Sequence, residues 1–154
     1  MSALAIRAAT RDDLPAIVAL LADDVNGAKR EDASLPLDPG YGAAFEAIHA
    51  DPNQMLVVAE LEGRIVGTLQ LSFLPGLSYR GAWRGQIEAV RIASDLRGQG
   101  LGAALIDWAV AECRARGCKM VQLTSKGDRV AAHRFYERLG WDKSHAGFKL
   151  TLSD

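Results

Sequence analysis

The stretch Arg97-Gly98-Gln99-Gly100-Leu101-Gly102 combines residue types that suit the binding of a phosphate group. Its three glycines let the backbone turn sharply and let N–H groups approach a ligand without a Cβ in the way. An apolar run ends at Ile92 and a helical pattern begins at Leu101, so the loop leads into a helix N-terminus, which stabilises an anion. Arg97 adds a positive charge that pairs well with phosphate oxygens. The loop therefore predicts a cradle for a phosphate or pyrophosphate.

Two common phosphate-binding motifs fit this loop poorly. A Walker-type loop needs Gly-Lys followed by Ser or Thr, and the sequence contains no Gly-Lys pair. The run Gly98-Gln99-Gly100-Leu101-Gly102-Ala103 matches a dinucleotide-binding fingerprint only formally. That fingerprint wants an acidic residue at the end of the next strand, which here ends in Leu123-Thr124-Ser125, and too little chain follows for a doubly wound sheet. Neither nucleotide hydrolysis nor dinucleotide binding is favoured.

The composition is that of an ordinary soluble protein. The 154 residues are 49% hydrophobic and 24% charged, which predicts a single domain over residues 1–154. A net charge of −1 gives no single-sign field that would favour nucleic acid or an anionic membrane surface as a partner. The N-terminus lacks the apolar core of a signal peptide, and no run is long enough to span a membrane. We therefore expect a cytoplasmic protein.

Two cysteines, Cys113 and Cys118, lie near the end of the helix that follows the loop. No second pair completes a metal site, and thiols in the cytoplasm stay reduced. We therefore expect two free and mostly packed thiols, with neither a bound metal nor a disulfide.

Hydrophobic periodicity and turn signals divide the chain into strands and helices. Glu62-Gly63 is typical of a β-hairpin turn, and Gly117 is expected to end the long helix after the loop. Strands are predicted over 4–8, 55–61, 64–73, 86–92 and 119–124, with a further strand or hairpin over 141–152. Helices are predicted over 11–23, 41–50, 101–116 and 128–139, and the segment 24–42 is predicted as loop. A β-meander followed by a β-α-β crossover predicts an α+β fold with parallel fourth and fifth strands.

The loop and two further features resemble the GNAT superfamily of acyl-CoA N-acyltransferases. Arg97-x-x-Gly100-x-Gly102 is similar to the pyrophosphate loop of that superfamily, and residues 132–141 are similar to its A-x-x-x-Y-x-x-x-G-F segment. The order of elements also matches, so the resemblance covers essentially the whole chain. It implies an α/β sandwich with helices on both faces of a mixed, mostly antiparallel sheet of six or seven strands, the fourth and fifth being splayed. Arg129 departs from the pattern, since many members carry Asn there.

The resemblance implies acetyl-CoA as the acyl donor and assigns residues to it. Backbone N–H groups of Val90, Arg91 and Ile92 would bind the thioester carbonyl where the fourth strand splays from the fifth. The pyrophosphate would be held by the loop and the start of the helix, namely Arg97, Gly98, Gln99, Gly100, Leu101, Gly102 and Ala103. The resemblance implies no metal in the reaction.

Two side chains are candidates for proton transfer. The resemblance implies that Tyr136 is the general acid for the departing thiolate, with a core tyrosine as the alternative. Glu88 is the one carboxylate inside the fourth strand, where an apolar environment would suit it to act as a base, directly or through water. The alternative for Glu88 is a half-buried acid paired with Arg84 or Arg91.

The acceptor is expected to be a primary amine of a small molecule, peptide or protein, bound among residues 26–41, 77–84 and 144–147. The acidic residues of this region are better explained as a solvated turn, although they could attract a cationic amine; they are Asp23, Asp24, Glu31 and Asp32. An aromatic or acidic acceptor is equally compatible with Tyr79, Trp83 and Arg84. The leading hypothesis is an acetyl-CoA-dependent N-acetyltransferase. The alternative is a catalytically silent acyl-CoA sensor or interaction module, and a homodimer is compatible with either.

Overall fold

Five strands form the sheet that carries the candidate site. The computed structural model describes residues 3–152, in two compact units that divide between Gln122 and Leu123. The strands of the first unit are β1 (Ala5–Ala8), β2 (Gln54–Leu61), β3 (Arg64–Leu74), β4 (Arg84–Ile92) and β5 (Met120–Gln122). They lie in chain order, and neighbours are antiparallel except β4 and β5, which are parallel. The α+β class and the parallel fourth and fifth strands are confirmed, whereas the single domain stays a prediction.

The predicted strand count is wrong. Residues 3–152 form five strands rather than six or seven, and the segment 141–152 contains no regular secondary structure. Phe148, Leu150 and Leu152 alternate with polar residues as in a strand, yet all three are exposed. Alternation of side chains predicts a strand only where a neighbouring strand supplies the hydrogen bonds, and the sequence does not show whether one does.

Helices cover both faces of the sheet. The first unit contains a 3-10 turn (Arg11–Asp13), α1 (Leu14–Ala22), α2 (Gly27–Arg30), α3 (Pro39–Ala50), α4 (Ser78–Gly81) and α5 (Leu101–Ala115), and the second contains α6 (Val130–Arg138). The four predicted helices are confirmed, with small shifts at their ends. No helix within residues 3–152 is long and apolar enough to cross a membrane.

The short helix α2 lies where the sequence predicted a loop. The carboxylate of Asp24 accepts the N–H of Gly27 at 2.5 Å, and α2 begins at that glycine. A Cβ on Gly27 would overlap the carbonyl oxygen of Leu21, so only glycine allows α2 to approach α1 this closely. The Asn26-Gly27 pair therefore starts a helical turn instead of an open loop.

The helices α1 and α5 pack on opposite faces of the sheet. On one face, Ile17 of α1 packs against Val58 of β2. On the other, α5 approaches β4 so closely that a Cβ on Gly85 would overlap the Cys113 sulfur. Large side chains that are fully buried include Leu69, Leu71, Ile87, Leu105 and Ile106. This packing fixes the two elements that the glycine loop connects, β4 and α5.

Gly117 caps the C-terminus of α5 as predicted, two residues after the last helical residue Ala115, with φ of +79°. The N–H groups of Gly117 and Cys118 donate to the carbonyls of Arg114 and Cys113 at 3.0 and 2.9 Å, which is the pattern of a Schellman motif. Both cysteines are free thiols, as expected. Burial raises the pKa of the Cys113 thiol to about 11.

A buried carboxylate fixes the start of α1 to the sheet. Both terminal nitrogens of Arg7 donate to Asp13, at 2.7 and 2.9 Å, and Arg7 Nε donates to Glu60 at 2.9 Å. The backbone N–H of Thr10 also donates to Asp13, at 2.7 Å. The hydrogen bonds from Arg7 lower the pKa of the Asp13 carboxyl from 3.8 to about 2.

Asp13→Asn is expected to lower the free energy of unfolding at neutral pH by about 1–2 kcal/mol, because a charge-assisted pair is lost. Since the pKa of Asp13 is lower in the folded than in the unfolded state, this stabilisation is present above about pH 4 and is lost as the pH falls through about 2. Urea denaturation should therefore show a difference from the native protein at neutral pH that shrinks in acid. The control is Asp12→Asn at the exposed neighbouring position, and an equal effect of both variants would contradict the prediction.

Candidate active site

The strands β4 and β5 pair along only part of β4. Their parallel ladder comprises three pairs, Arg84 with Met120, Gly85 with Val121 and Gln86 with Gln122. Beyond Gln86, β4 continues to Ile92 and pairs with β3 alone. The predicted departure of the fourth strand from the fifth therefore begins after Gln86, and within residues 3–152 no strand pairs with this edge of β4 along residues 87–92.

A β-bulge interrupts the other edge of β4. Arg91 lies opposite Thr68 and Glu88 opposite Gln70, so two residues, Ala89 and Val90, share the space opposite a single residue of β3. Ala89 adopts φ of +56°, in the left-handed region that non-glycine residues rarely occupy. The extra residue of a bulge stays out of the regular ladder. Among the predicted donors at residues 90–92, the bulge singles out Val90, whereas Arg91 and Ile92 keep partners on β3.

Ala89→Val is expected to lower the free energy of unfolding by about 1–2 kcal/mol, because a β-branched side chain is strained at positive φ. Ala89→Gly is the matched variant, since glycine adopts this conformation freely and should retain the stability of the native protein to within about 1 kcal/mol. Urea denaturation of both variants measures the difference. Equal stability of the two variants would show that the bulge does not constrain this position.

The glycine loop is exposed and leads into α5 as predicted. Gly98 and Gly100 adopt φ of +81° and +82°, and no heavy atom lies within 4 Å of a Cβ built on either. The first intrahelical hydrogen bond runs from Ala104 N–H to Gly100 O at 3.1 Å. Since the first N–H groups of a helix have no intrahelical partner, those of Leu101, Gly102 and Ala103 remain available to an anion. The conformation therefore fits the predicted phosphate cradle.

Two arginines connect this region to the end of α1. Arg97, the predicted phosphate cation, donates from Nη2 to the Asp23 carbonyl at 3.0 Å and from Nε to the Ile92 carbonyl at 3.4 Å. Arg91 places Nε 3.0 Å from the Asp24 carboxylate, and its side chain is largely buried. The side chain of Arg91 thus holds the α1–α2 turn against β4. Arg97 lies in an exposed position beside the loop.

The expected apolar enclosure of Glu88 is wrong. Its side chain is exposed, and its Oε1 accepts a hydrogen bond from Gln86 Nε2 at 3.0 Å. Within residues 3–152 it forms no ion pair with Arg84 or Arg91, so the structural alternative is wrong as well. The cause is the pleat of β4, which directs Ile87 into the core and its neighbour to the opposite face.

Gln86 and Gln122 lie next to Glu88 in the candidate site, and the sequence analysis missed both of them. Gln122 Nε2 donates to Gln86 Oε1 at 2.7 Å, and Gln86 in turn orients the Glu88 carboxylate. The signal present in the sequence is the alternation of Gln86 and Glu88 around the apolar Ile87. That alternation indicates a polar face on β4. Gln122 of β5 can be identified as the partner of Gln86 only when the parallel register is known.

Three of the four acidic residues of the predicted acceptor region, Asp24, Glu31 and Asp32, have partners within the protein. Asp24 pairs with Arg91, and Glu31 accepts hydrogen bonds from Arg30 and from the Tyr41 hydroxyl, both at 3.0 Å. These contacts explain them without a cationic ligand. In the neighbouring predicted segment, α4 contains two residues with positive φ, Tyr79 at +54° and Arg80 at +60°.

Tyr136 lies on α6 in the second unit. Its ring packs edge to face against Phe135 and Trp141, with centroid separations of 5.1 and 6.0 Å. The N–H of Trp141 donates to the Tyr136 carbonyl at 3.0 Å, which ends the helix. Tyr136 is half-buried. Its role as an acid stays a prediction.

Comparison with known proteins identifies the family. Residues 18–141 match the acetyltransferase (GNAT) family. The chain belongs to this family. It is therefore an acyltransferase with the GNAT fold, and the predicted resemblance is confirmed.

Individual relatives support the assignment. The chain is 30% identical over 147 residues to an aminoalkylphosphonate N-acetyltransferase from Salmonella typhimurium. The matched region covers 96% of this chain and 90% of the relative. It is 37% identical over 90 residues to a glucosamine 6-phosphate N-acetyltransferase from Trypanosoma brucei brucei, covering 58% of this chain and 59% of the relative. A crystal structure described as a transcriptional regulator from Bacillus halodurans C-125 is 47% identical, with a TM-score of 0.95 and coverage of 97% and 100%.

Proposed function

We propose that this GNAT-family protein transfers an acetyl group from acetyl-CoA directly to a primary amine. The proposal rests on the order in which two structural features follow each other along β4 and the loop after it. A bulge that leaves Val90 without a register partner on β3 lies beyond the part of β4 that pairs with β5, and the strand then leads into an exposed glycine loop at the N-terminus of α5. One feature suits a developing oxyanion and the other suits a pyrophosphate.

The donor would be held mainly by backbone groups. The loop is exposed, and its N–H groups together with those of the first turn of α5 would bind the pyrophosphate oxygens. Arg97 would add a guanidinium next to them, at the point where it now donates to the end of α1. Because most of these contacts come from the main chain, the glycine conformations matter more than any single side chain.

The reaction forms a C–N bond and breaks the C–S bond of the thioester. The amine nitrogen attacks the carbonyl carbon, and the N–H of Val90 would donate to the oxygen as negative charge develops there. Glu88 would accept the proton that the amine loses, directly or through water. Tyr136 would give its hydroxyl proton to the departing thiolate. Since a phenol has an ordinary pKa of about 10 and a thiol about 8.5, this last transfer depends on close positioning.

The acyl-transfer test is a screen that follows the release of free thiol with a panel of amines. The relatives supply the first two compounds, 2-aminoethylphosphonate and glucosamine 6-phosphate, and polyamines, amino acids and peptides complete the panel. The proposal expects thiol release that depends on both acetyl-CoA and an amine, with acetylated amine found by mass spectrometry. Binding of acetyl-CoA without transfer to any amine would reject the catalytic part.

The alternative is a catalytically silent acyl-CoA-binding module. The structure that is 47% identical and is described as a transcriptional regulator favours it. The same screen separates the two functions, because a sensor would bind acetyl-CoA and release no thiol. Sedimentation of the protein with and without acetyl-CoA would also test the predicted homodimer.

A further inference from the structure

A row of polar side chains crosses four strands on one face of the sheet. Gln54 of β2 lies opposite Ser72 of β3, Ser72 lies opposite Gln86 of β4, and Gln86 lies opposite Gln122 of β5. Residues directly opposite each other on neighbouring strands project from the same face. These four residues, called the polar row below, therefore form one continuous line across the sheet.

Hydrogen bonds within the polar row show that its members are in contact. Ser72 Oγ donates to Gln54 Oε1 at 2.9 Å, and Gln122 Nε2 donates to Gln86 Oε1 at 2.7 Å. The adjacent positions on the same face are also polar. Gln70, which lies opposite Glu88, donates to Gln54 at 3.0 Å, and Glu88 accepts from Gln86 at 3.0 Å. The polar surface therefore extends to the proposed base.

The same face is apolar where α1 covers it. Leu20 of α1 packs against Val66 of β3. Val66 lies near the turn that joins β2 to β3, at the opposite end of these strands from the polar row. A helix-covered face selects apolar residues because a buried polar group without a partner is costly. Half-buried carboxamides in the middle of a sheet therefore indicate a surface that exchanges hydrogen bonds with a polar ligand or with water.

A cation without a carboxylate partner stands next to the polar row. Arg84 lies two residues before Gln86 on β4, and its Nη1 is 3.4 Å from Gln122 Oε1, beyond the usual length of a strong hydrogen bond. Within residues 3–152 Arg84 forms no ion pair, although five other arginines do, namely Arg7, Arg11, Arg30, Arg64 and Arg91. Its side chain is half-buried. Such a guanidinium can bind an oxyanion through two parallel N–H donors.

We propose that the polar row is the binding surface for the acceptor, and that the acceptor is a small primary amine that carries an oxyanion. Along β4, Glu88 lies two residues after Gln86 and would face the amine, while Arg84 lies two residues before Gln86 and would face the anionic group. The two Cα positions are about 13 Å apart along β4, and both side chains are long, so a compact acceptor fills the gap. The carboxamides of Gln86 and Gln122 lie between them. The inference rests on the proposed acetyl transfer and adds the class of acceptor.

The test compares two alkylamines with backbones of the same length, 2-aminoethylphosphonate, which ends in an oxyanion, and n-propylamine, which ends in a methyl group. The native protein should show kcat/KM for the phosphonate about 10- to 100-fold above that for propylamine, because one charge-assisted interaction contributes a factor of this size. Arg84→Gln should remove most of that preference by lowering kcat/KM for the phosphonate and leaving that for propylamine within about twofold. Arg84→Lys should restore part of the preference, since it keeps the charge but loses the paired donors.

Arg114→Gln is the matched control, because it removes the same charge from an exposed position on α5, on the opposite face of the sheet. Gln122→Leu gives a second test that keeps Arg84, and it should also weaken the phosphonate preference. Equal use of the two amines by the native protein, or an undiminished preference in Arg84→Gln and Gln122→Leu, would overturn the acceptor class alone. Transfer to neither amine nor to any panel compound would overturn the proposed function and this inference with it.

Discussion

Tyr136→Phe should lower kcat by about 100-fold or more while the dissociation constant of acetyl-CoA stays within about twofold. The variant removes one hydroxyl and keeps the ring that packs against Phe135 and Trp141, so α6 should remain intact. The loss is confined to turnover because the proposed proton transfer occurs only as the C–S bond breaks. Steady-state kinetics with a saturating amine, combined with calorimetric titration of acetyl-CoA, measures both quantities.

Tyr79→Phe is the control for this result. Tyr79 is an exposed tyrosine on α4 in the predicted acceptor region, so loss of its hydroxyl would act on the KM of the amine and should leave kcat at saturating amine unchanged. An unchanged kcat in Tyr136→Phe would return Tyr136 to the structural alternative, a tyrosine that only packs. A parallel loss of turnover and acetyl-CoA affinity would indicate that the hydroxyl serves donor binding instead of proton transfer.

Gly85→Ala should lower the free energy of unfolding by about 2–3 kcal/mol, because it adds a methyl group where α5 packs closely on β4. The new Cβ would overlap the Cys113 sulfur and would also lie 3.4 Å from the Cys113 Cβ. Both Gly85 and Cys113 are buried, so neither β4 nor α5 can relax freely. Urea denaturation measures the change.

A second substitution tests whether this overlap is the cause. Cys113→Ala removes the sulfur and leaves a small cavity, so alone it should be mildly destabilising. In the double variant the two effects should compensate, with a coupling free energy of about 1 kcal/mol or more. Additive effects in the double variant would show that the close approach of α5 to β4 does not depend on this contact.

The sequence was sufficient to predict elements whose signal is local. Glu62-Gly63 adopts φ of +52° and +78°, the two positive values that a tight hairpin turn needs, and the hairpin of β2 and β3 follows the predicted course. Gly100 and Gly117 delimit α5 because each takes a conformation that few other residues adopt without strain. The phosphate cradle could be predicted for the same reason, since it combines the conformation of glycines with a helix N-terminus.

Features that depend on pairing between distant residues could not be predicted. Ala89 carries no local sign of positive φ, and its bulge results from the registers of Thr68 and Gln70 against β4. The exposure of Glu88 depends on which residues of β4 point into the core. The apolar residues around Glu88 in the sequence do not show this. The polar row joins residues of four strands, so it exists only once all three registers are set.

The most direct test of the account is calorimetric titration of acetyl-CoA into the native protein and into two glycine variants. Gly100 and Gly117 stand at opposite ends of α5 with φ of +82° and +79°, and both have open space around a built Cβ. Valine at either position introduces the same backbone strain, but only Gly100→Val alters the proposed cradle. We predict saturable binding to the native protein and to Gly117→Val, and affinity at least about tenfold lower for Gly100→Val. Absence of binding heat from the native protein at about millimolar acetyl-CoA, or equal affinity of the two variants, would contradict the assignment of the glycine loop.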